Sequence, residues 1–415
     1  MEKENILIIA KYMLPYVKSF GCCQRVYYLA NHLSEKGMSV TVIGEKVGKR
    51  TMSLNTMERK YTSYWLRNKH NSEYSILNTR LFKMFSRIIF NEVAEPIAFQ
   101  HYLWRIKNTE EIINCIKHKK IQKVIISGPP FSIFGLCEKI KRRYKDVKVI
   151  LDYRDPWNLW NNAYTIASYL EYKQLQKCDK IVCFSNDFKI AMQKRFPLED
   201  RKYEVIYNGY YEKAWREVNL KKRKNEHLIF KYIGSYAFPA CQNNYRDLKE
   251  LIDAFLSVSE NRSMEIQFIG AAKITTQMKE IEKKSNGKIH FSTTVTVQES
   301  LEQMVNSDVL ISIHDAKNQS DQFILSAKLF DYMRSGNFIL NIGEKKSALS
   351  RFIKKNGVGI SCENNKFSLE KTLVKLYDIW QKNDNCILRK NQNFNYERYS
   401  REYQNEKYLD LLKRI

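Results

Sequence analysis

Lys328 and Asp331 stand three residues apart in 325-LSAKLFDYMRSGNFIL-340, a spacing that places both on one face of a helix beginning close to the lysine. A cation at a helix amino end adds to the helix dipole in holding phosphate, and a carboxylate one turn later suits the paired hydroxyls of a ribose. The same spacing also makes a plain local ion pair. Gly234 and Ser235 close the apolar run 228-LIFKYIG-234, and a glycine there has no side chain to obstruct a diphosphate. Arg246, at the start of the helical stretch 247-DLKELIDAF-255, is either a neutralising cation for that diphosphate or an exposed charge with no such task. His314 and Asp315 fall at the end of another strand pattern in 308-DVLISIHDAKNQ-319. In the first half, Asp152, Arg154 and Asp155 follow a strand in 151-LDYRDPWNLW-160, and three charges among apolar neighbours need partners. They read as an Asp–Arg staple for the loop, or as a site in which Asp155, in preference to Asp152, is a base or an acceptor for a sugar hydroxyl. Gly21 is the one glycine in 11-KYMLPYVKSFGCCQRVYYLA-30, a loop feeding a helix N-terminus; it either lets backbone amides approach a phosphate or is a helix-entry turn.

The elements that must position these residues alternate along the chain. Apolar runs at 5-NILIIA-10, 39-SVTVIG-44, 123-KVIISG-128, 147-VKVILDY-153, 180-KIVCFS-185 and 204-EVIYNG-209 are separated by helical patterns. Continuous apolar strands alternating with helices imply a parallel sheet covered on both faces. A charged stretch, 213-KAWREVNLKKRKNEH-227, breaks the pattern, and a second series follows at 228-LIFKYIG-234, 264-MEIQFIG-270, 288-KIHFS-292, 308-DVLISIH-314 and 338-FILNIG-343. The expected fold is α/β: two Rossmann-like domains with parallel sheets facing a central cleft, ligands lying at the carboxyl ends of the strands. The domain reading is 1–213, with a basic insert at 46–110, a linker at 214–226, a second domain at 227–392, and a C-terminal helix from 393 to 415. With 415 residues, two cores are the natural expectation.

Nine scattered cysteines without a CxxC pair fit neither a disulfide framework nor a zinc site, and point to a reducing compartment. No run of about 18 apolar residues occurs, so the reading is cytoplasmic, with a peripheral position on the inner face of a cell membrane as the variant. The net charge of +25 attracts polyanions, nucleic acid and anionic lipid alike. Between Lys46 and Arg87 ten basic residues face two acidic ones, interleaved with Tyr61, Tyr64, Trp65, Phe82, Phe85 and Phe90. That mixture reads as a surface for a bilayer interface, or as a solvated insert with its own small core. No nucleic-acid motif accompanies the charge, so no nucleic-acid partner is expected.

The order of motifs resembles bacterial family 4 glycosyltransferases of the GT-B fold over nearly the whole chain. Four segments carry the likeness: the opening ILIIAKYMLPYVKSFGCCQRVYYLANHLSEKGMSVTVIG; ISGPPFSIFGL followed by ILDYRDPW; CFSNDFKIAMQKRF followed by VIYNGY; and KLFDYMRSGNFIL, similar to the family's K-L-F-E-Y-M-A-S-G-K-P-I-L. The resemblance implies a glycosyltransferase moving a sugar from a nucleoside diphosphate sugar to a carbohydrate or lipid-linked acceptor, in bacterial surface polysaccharide synthesis, with retention at the anomeric carbon. It implies no cofactor beyond that co-substrate and no metal. By the same likeness Gly234 and Ser235 match the diphosphate turn, Arg246 and Lys328 its cations, Val295 a base-contacting loop and Asp331 the ribose acid. Gly21 approaches the diphosphate from the first domain, and the final helix crosses back onto that domain. The chain departs from the pattern in four ways. Phe323 stands where the first acid of E-x7-E belongs, with Asp321, Asp315 and His314 as substitutes; the second acid is Asp331 rather than Glu; Arg-x4-Lys after the glycine turn is missing; and the RDPW region replaces a first-domain histidine. A nucleic-acid-binding protein, a non-catalytic nucleotide-sugar binder and a sugar-nucleotide epimerase are the competing readings.

Overall fold

A computed structural model describes residues 3–17, 21, 23–46, 57–67, 84, 98–159, 166–221, 224–236, 238, 248–313, 322–387, 391 and 393–415. It divides into two compact units, one formed by Met1–Asn208 with Arg401–Ile415, the other by Gly209–Ser400.

The first unit is built on seven parallel strands: β1 Asn5–Ile9, β2 Ser39–Lys46, β3 Thr62–Arg67, β4 Lys123–Gly128, β5 Lys148–Tyr153, β6 Lys180–Cys183 and β7 Tyr203–Val205, in the order β3-β2-β1-β4-β5-β6-β7. The central strands are uninterrupted Ile, Leu and Val because helices cover both faces; Ile6, Leu7, Ile8, Val124, Ile125 and Ile126 have no exposed surface. Helix α1, Gln24–Glu35, turns Val26, Leu29, Ala30 and Leu33 inward, and Gly37, with φ +89°, takes the left-handed position just beyond its end. Helices α2 Ala98–His118, α3 Leu136–Arg143, α4 Ile166–Lys177 and α5 Asn186–Arg195 follow.

The second unit begins with the short helix α6, Glu212–Arg216, and has six parallel strands: β8 Leu228–Tyr236, β9 Met264–Ala271, β10 Ile289–Thr293, β11 Val309–Ile313, β12 Phe338–Ile342 and β13 Gly359–Cys362. Their order is β10-β9-β8-β11-β12-β13. Helices α7 Lys249–Ser259, α8 Thr276–Lys284, α9 Val297–Val305, α10 Ala327–Arg334, α11 Ala348–Asn356 and α12 Lys366–Lys382 complete it. In both sheets the winding reverses direction beside the first strand, between β1 and β4 and between β8 and β11, which opens a crevice at the strand carboxyl ends.

Three expectations are corrected. The stretch 46–110 is not wholly an insert: it supplies β3 to the sheet edge and the first part of α2. Tyr61 accordingly lies in the first core and Trp65, partly buried, packs against it 5.3 Å from Tyr16, whereas Tyr64 is exposed; Phe82, Phe85 and Phe90 lie outside the described residues. The charged stretch 213–227 is partly folded, with Trp215 buried. The helix expected over 393–415 is divided, because a 3-10 turn at Glu397–Tyr399 and an extended Ser400 precede α13, Arg401–Lys413. Helix α13 joins the first core through Tyr408, Leu409, Leu411 and Leu412. No described helix is long and apolar enough to cross a membrane.

Candidate active site

In the first unit, the carboxyl ends of β4 and β5 bring together the two segments singled out from sequence. Phe131 stacks on Trp157 with ring centroids 5.5 Å apart, and the Arg154 amide and Nε donate to the Gly128 carbonyl at 3.0 and 3.2 Å. Arg154 also reaches the Pro129 carbonyl. Arg154 thus fastens the loop to the preceding strand end, while the buried partner of Asp152 is Arg25. Arg25 Nη2 meets Asp152 Oδ1 at 2.8 Å, and Ser127 Oγ donates to Oδ2 at 2.7 Å. Arg25 Nη1 further donates to the carbonyls of Ile206 and Tyr207 and to Asn208 Oδ1, at 3.0, 3.1 and 3.2 Å. An Asp152–Arg154 staple is therefore not the arrangement adopted. Asp155 is exposed. The protein packed around its base pushes the carboxyl above the ordinary aspartate range, and Arg154 opposes the rise.

The loop bearing Asp155 is braced from beneath by Glu171 on α4, a fully buried acid. Its carboxylate accepts from the Tyr153 hydroxyl at 2.7 Å and from Asn158 Nδ2 at 2.8 Å, gripping the loop at both ends. Burial pushes the Glu171 carboxyl up to about 7, against the pull of those hydrogen bonds and of Arg195. Between the ordinary value of 4.5 and about 7 the folded chain binds this proton more tightly than the unfolded chain, so stability falls as pH rises through that window. The loss amounts to about 3 kcal/mol at completion. Glu171→Gln removes this dependence: from pH 5 to pH 8 its unfolding free energy, relative to wild type, should rise by about that amount. A difference that stays constant with pH in denaturant titrations would refute it.

Gly21 is exposed in a single 3-10 position two residues before Cys23, the residue that precedes α1. At the ends of β1 and β2 lies a charged cluster that sequence reasoning missed. Lys11 Nζ is 3.2 Å from Glu45 and contacts His101, and all three are buried; burial pushes the His101 imidazole well below its ordinary range, with Lys11 adding to the effect.

The second unit gathers its candidates at the end of β8, beside the reversal of winding. Strand β8 continues to Tyr236, and Gly234 and Ser235 form a bulge: Ile233 pairs with Ile269 and Tyr236 with Ala271, so two residues oppose Gly270 alone. Gly234 has φ +143° and Gly270 φ +122°, and a Cβ on Gly270 would lie 2.5 Å from the Gly234 carbonyl oxygen. A Cβ on Gly234 would fall 1.3 Å from Lys328 Nζ. Lys328 is the second residue of α10 and also lies over the Tyr232 ring, 5.1 Å from its centre. The structure therefore brings Gly234, Lys328 and the amino end of α10 to one spot. Ser326 makes no side-chain cap there. Asp331, half-buried on the next turn, accepts from Trp215 Nε1 at 3.1 Å. Ser235 is exposed, as is Val295, which precedes a capping box between Thr296 and Glu299 at the start of α9. Arg246 and His314 lie outside the described residues, as do Asp315 and Asp321.

Residues 21–211, from the loop before α1 to the segment after β7, match the model of Glycosyltransferase Family 4. The chain carries a glycosyltransferase family 4 domain. Nucleotide sugar and acceptor are the substrates that go with it. No curated protein matches the sequence. Among solved structures, this glycosyltransferase is similar to a glycosyltransferase from Rickettsia africae ESF-5, with 15% identity and TM-score 0.69 over 100% of this chain and 99% of that one. It is also similar to the apo form of the lipopolysaccharide outer core galactosyltransferase WaaB, at 13% identity and TM-score 0.64 over 99% and 100%. The UDP-GlcNAc 2-epimerase of Methanocaldococcus jannaschii matches at 12% identity and TM-score 0.57 over 99% and 100%. At such identities these likenesses establish the fold, GT-B, which transferases and epimerases share.

Other site features of the glycosyltransferase escaped the sequence. Gly270 has a signal, a glycine ending a strand like Gly234, whereas Arg25 is marked only as a cation within an otherwise apolar helix face. Trp215 is a large aromatic in a segment otherwise too charged to fold.

Proposed function

We propose that the glycosyltransferase holds a nucleoside diphosphate sugar on its second unit, with the diphosphate over the Gly234–Ser235 bulge and the amino end of α10. The observation that carries this reading is the convergence of Gly234, Lys328 Nζ and that helix end beside the reversal of winding. Backbone amides of the first turn and the Lys328 ammonium supply positive charge where negative charge grows on the departing diphosphate. Asp331 accepts the ribose hydroxyls, Val295 borders the base, and Arg246 and His314 complete the donor set. In the first unit Gly21 approaches phosphate, and the exposed Asp155 carboxylate takes a proton or a hydrogen bond from a sugar hydroxyl. Transfer with retention to a carbohydrate or lipid-linked acceptor in bacterial surface polysaccharide synthesis is the finer form of this reading. The family likeness supports it, as does the lipopolysaccharide role in the name of WaaB. A peripheral place at the inner membrane face follows from the excess of basic residues between Lys46 and Arg87.

A thermal-shift screen of ADP, CDP, GDP, UDP and their sugars tests the donor. Only a ligand of the folded chain raises the midpoint, by about 2.7 kcal/mol of added stability at a hundred times Kd. No shift with any of them at millimolar concentration would overturn the reading, and turnover of nucleotide sugar to its epimer without acceptor would favour the epimerase instead.

Gly234→Ala should lower kcat/KM for nucleotide sugar about tenfold, because the new methyl displaces Lys328 Nζ, and should cost the second unit about 1–3 kcal/mol through its φ. Steady-state kinetics with a denaturant titration check both; a wild-type kcat/KM would contradict it.

A further inference from the structure

Trp215 and Asp331 meet across 116 residues of sequence within the second unit. Helix α6, which carries Trp215, is clamped to α10, which carries Asp331. Arg334 Nε and Nη2 each lie 2.9 Å from a Glu212 carboxylate oxygen, and its guanidinium rests 5.6 Å from the Trp215 ring and 4.9 Å from that of Tyr396. A two-point charged fork of this kind fixes orientation as well as distance. Trp215 is 1% exposed, so its indole N–H must have a partner inside the protein, and that partner is Asp331 Oδ1 at 3.1 Å.

An ionised carboxylate has about four lone-pair positions, and the indole takes only one of them. It also removes rotational freedom from the Asp331 side chain before any ligand arrives, and a group already held in its binding geometry loses less entropy on binding. We propose that Trp215 is a positioning residue: it orients the Asp331 carboxylate toward the ribose hydroxyls and so sets the preference for ribonucleoside over 2′-deoxyribonucleoside diphosphates. This rests on the reading of Asp331 given under Proposed function. A tryptophan serving only the core would be replaceable by another aromatic without any effect on that preference.

The test compares dissociation constants of ADP, CDP, GDP and UDP with those of their 2′-deoxy forms, by calorimetry on the full chain. The proteins are wild type, Asp331→Asn, Trp215→Phe and a chain with benzothienylalanine at 215, which keeps the indole shape without its N–H. Wild type should prefer the ribo form of the diphosphate it binds, and Asp331→Asn should bring the ratio close to one. Both replacements at 215 should lower the ratio roughly fivefold, the net share of one ordinary hydrogen bond. If Trp215→Phe fails to fold, the benzothienyl chain decides. A wild-type ratio at 215 together with its loss in Asp331→Asn overturns the proposal and leaves the site reading standing. An unchanged ratio in Asp331→Asn removes the ribose reading itself and the proposal with it.

Discussion

Lys328→Ala and Asp331→Asn should each lower kcat/KM for nucleotide sugar by about a hundredfold or more, with the fold intact. Removing one preorganised donor aimed at developing charge costs a factor on the order of 100 to 1,000 in other enzymes, and Lys328 would be such a donor. Asp331→Asn preserves shape and still offers an oxygen to Trp215 Nε1, so its effect isolates the carboxylate charge rather than packing. The two losses should also differ in kind. Without the ammonium the leaving diphosphate is less stabilised in the transition state, so kcat carries the loss at 328. Without the ribose contact, ground state and transition state weaken alike, so KM carries it at 331. Rates within threefold of wild type in both variants would remove the site assignment.

Arg25→Met should destabilise the first unit by about 3–5 kcal/mol, the cost of leaving the Asp152 carboxylate buried without its cation. Asp152 is 1% exposed and Arg25 8% exposed, so water does not compensate. The same substitution frees the carbonyls of Ile206 and Tyr207, the end of the chain segment leading out of this unit. Adding Asp152→Asn to Arg25→Met should restore part of the loss, since the uncompensated charge is then gone. Denaturant unfolding of the first unit's transition measures both; a loss under 1 kcal/mol for Arg25→Met would mean that the pair contributes little to the fold.

Two parallel sheets are legible in this sequence because strands buried on both faces are written as continuous Ile, Val and Leu, which helices interrupt at regular intervals. The weaker edges are not. Strand β3, TSYWLR, lies in a basic stretch whose aromatics also fit a membrane surface, and only its pairing with β2 shows that Tyr61 and Trp65 face a core. Strand β13, GISC, is too short to stand out from its surroundings. At the site, glycine at a strand end and Lys328 three residues before Asp331 are local patterns, visible along the chain. Their partners are not local. Asp152 finds Arg25 at a separation of 127 residues instead of its near neighbour Arg154, and Asp331 finds Trp215 at 116. Spacing along the chain says nothing about such pairs, which burial selects by requiring every enclosed charge and N–H to be met.

The most direct test of the account follows amide hydrogen exchange of the full chain with and without the nucleoside diphosphate that gives the largest thermal shift. A diphosphate held by the β8 bulge and the start of α10 slows exchange at residues 233–236 and 326–332. Protection confined to the first unit, with those two segments unchanged, would contradict it.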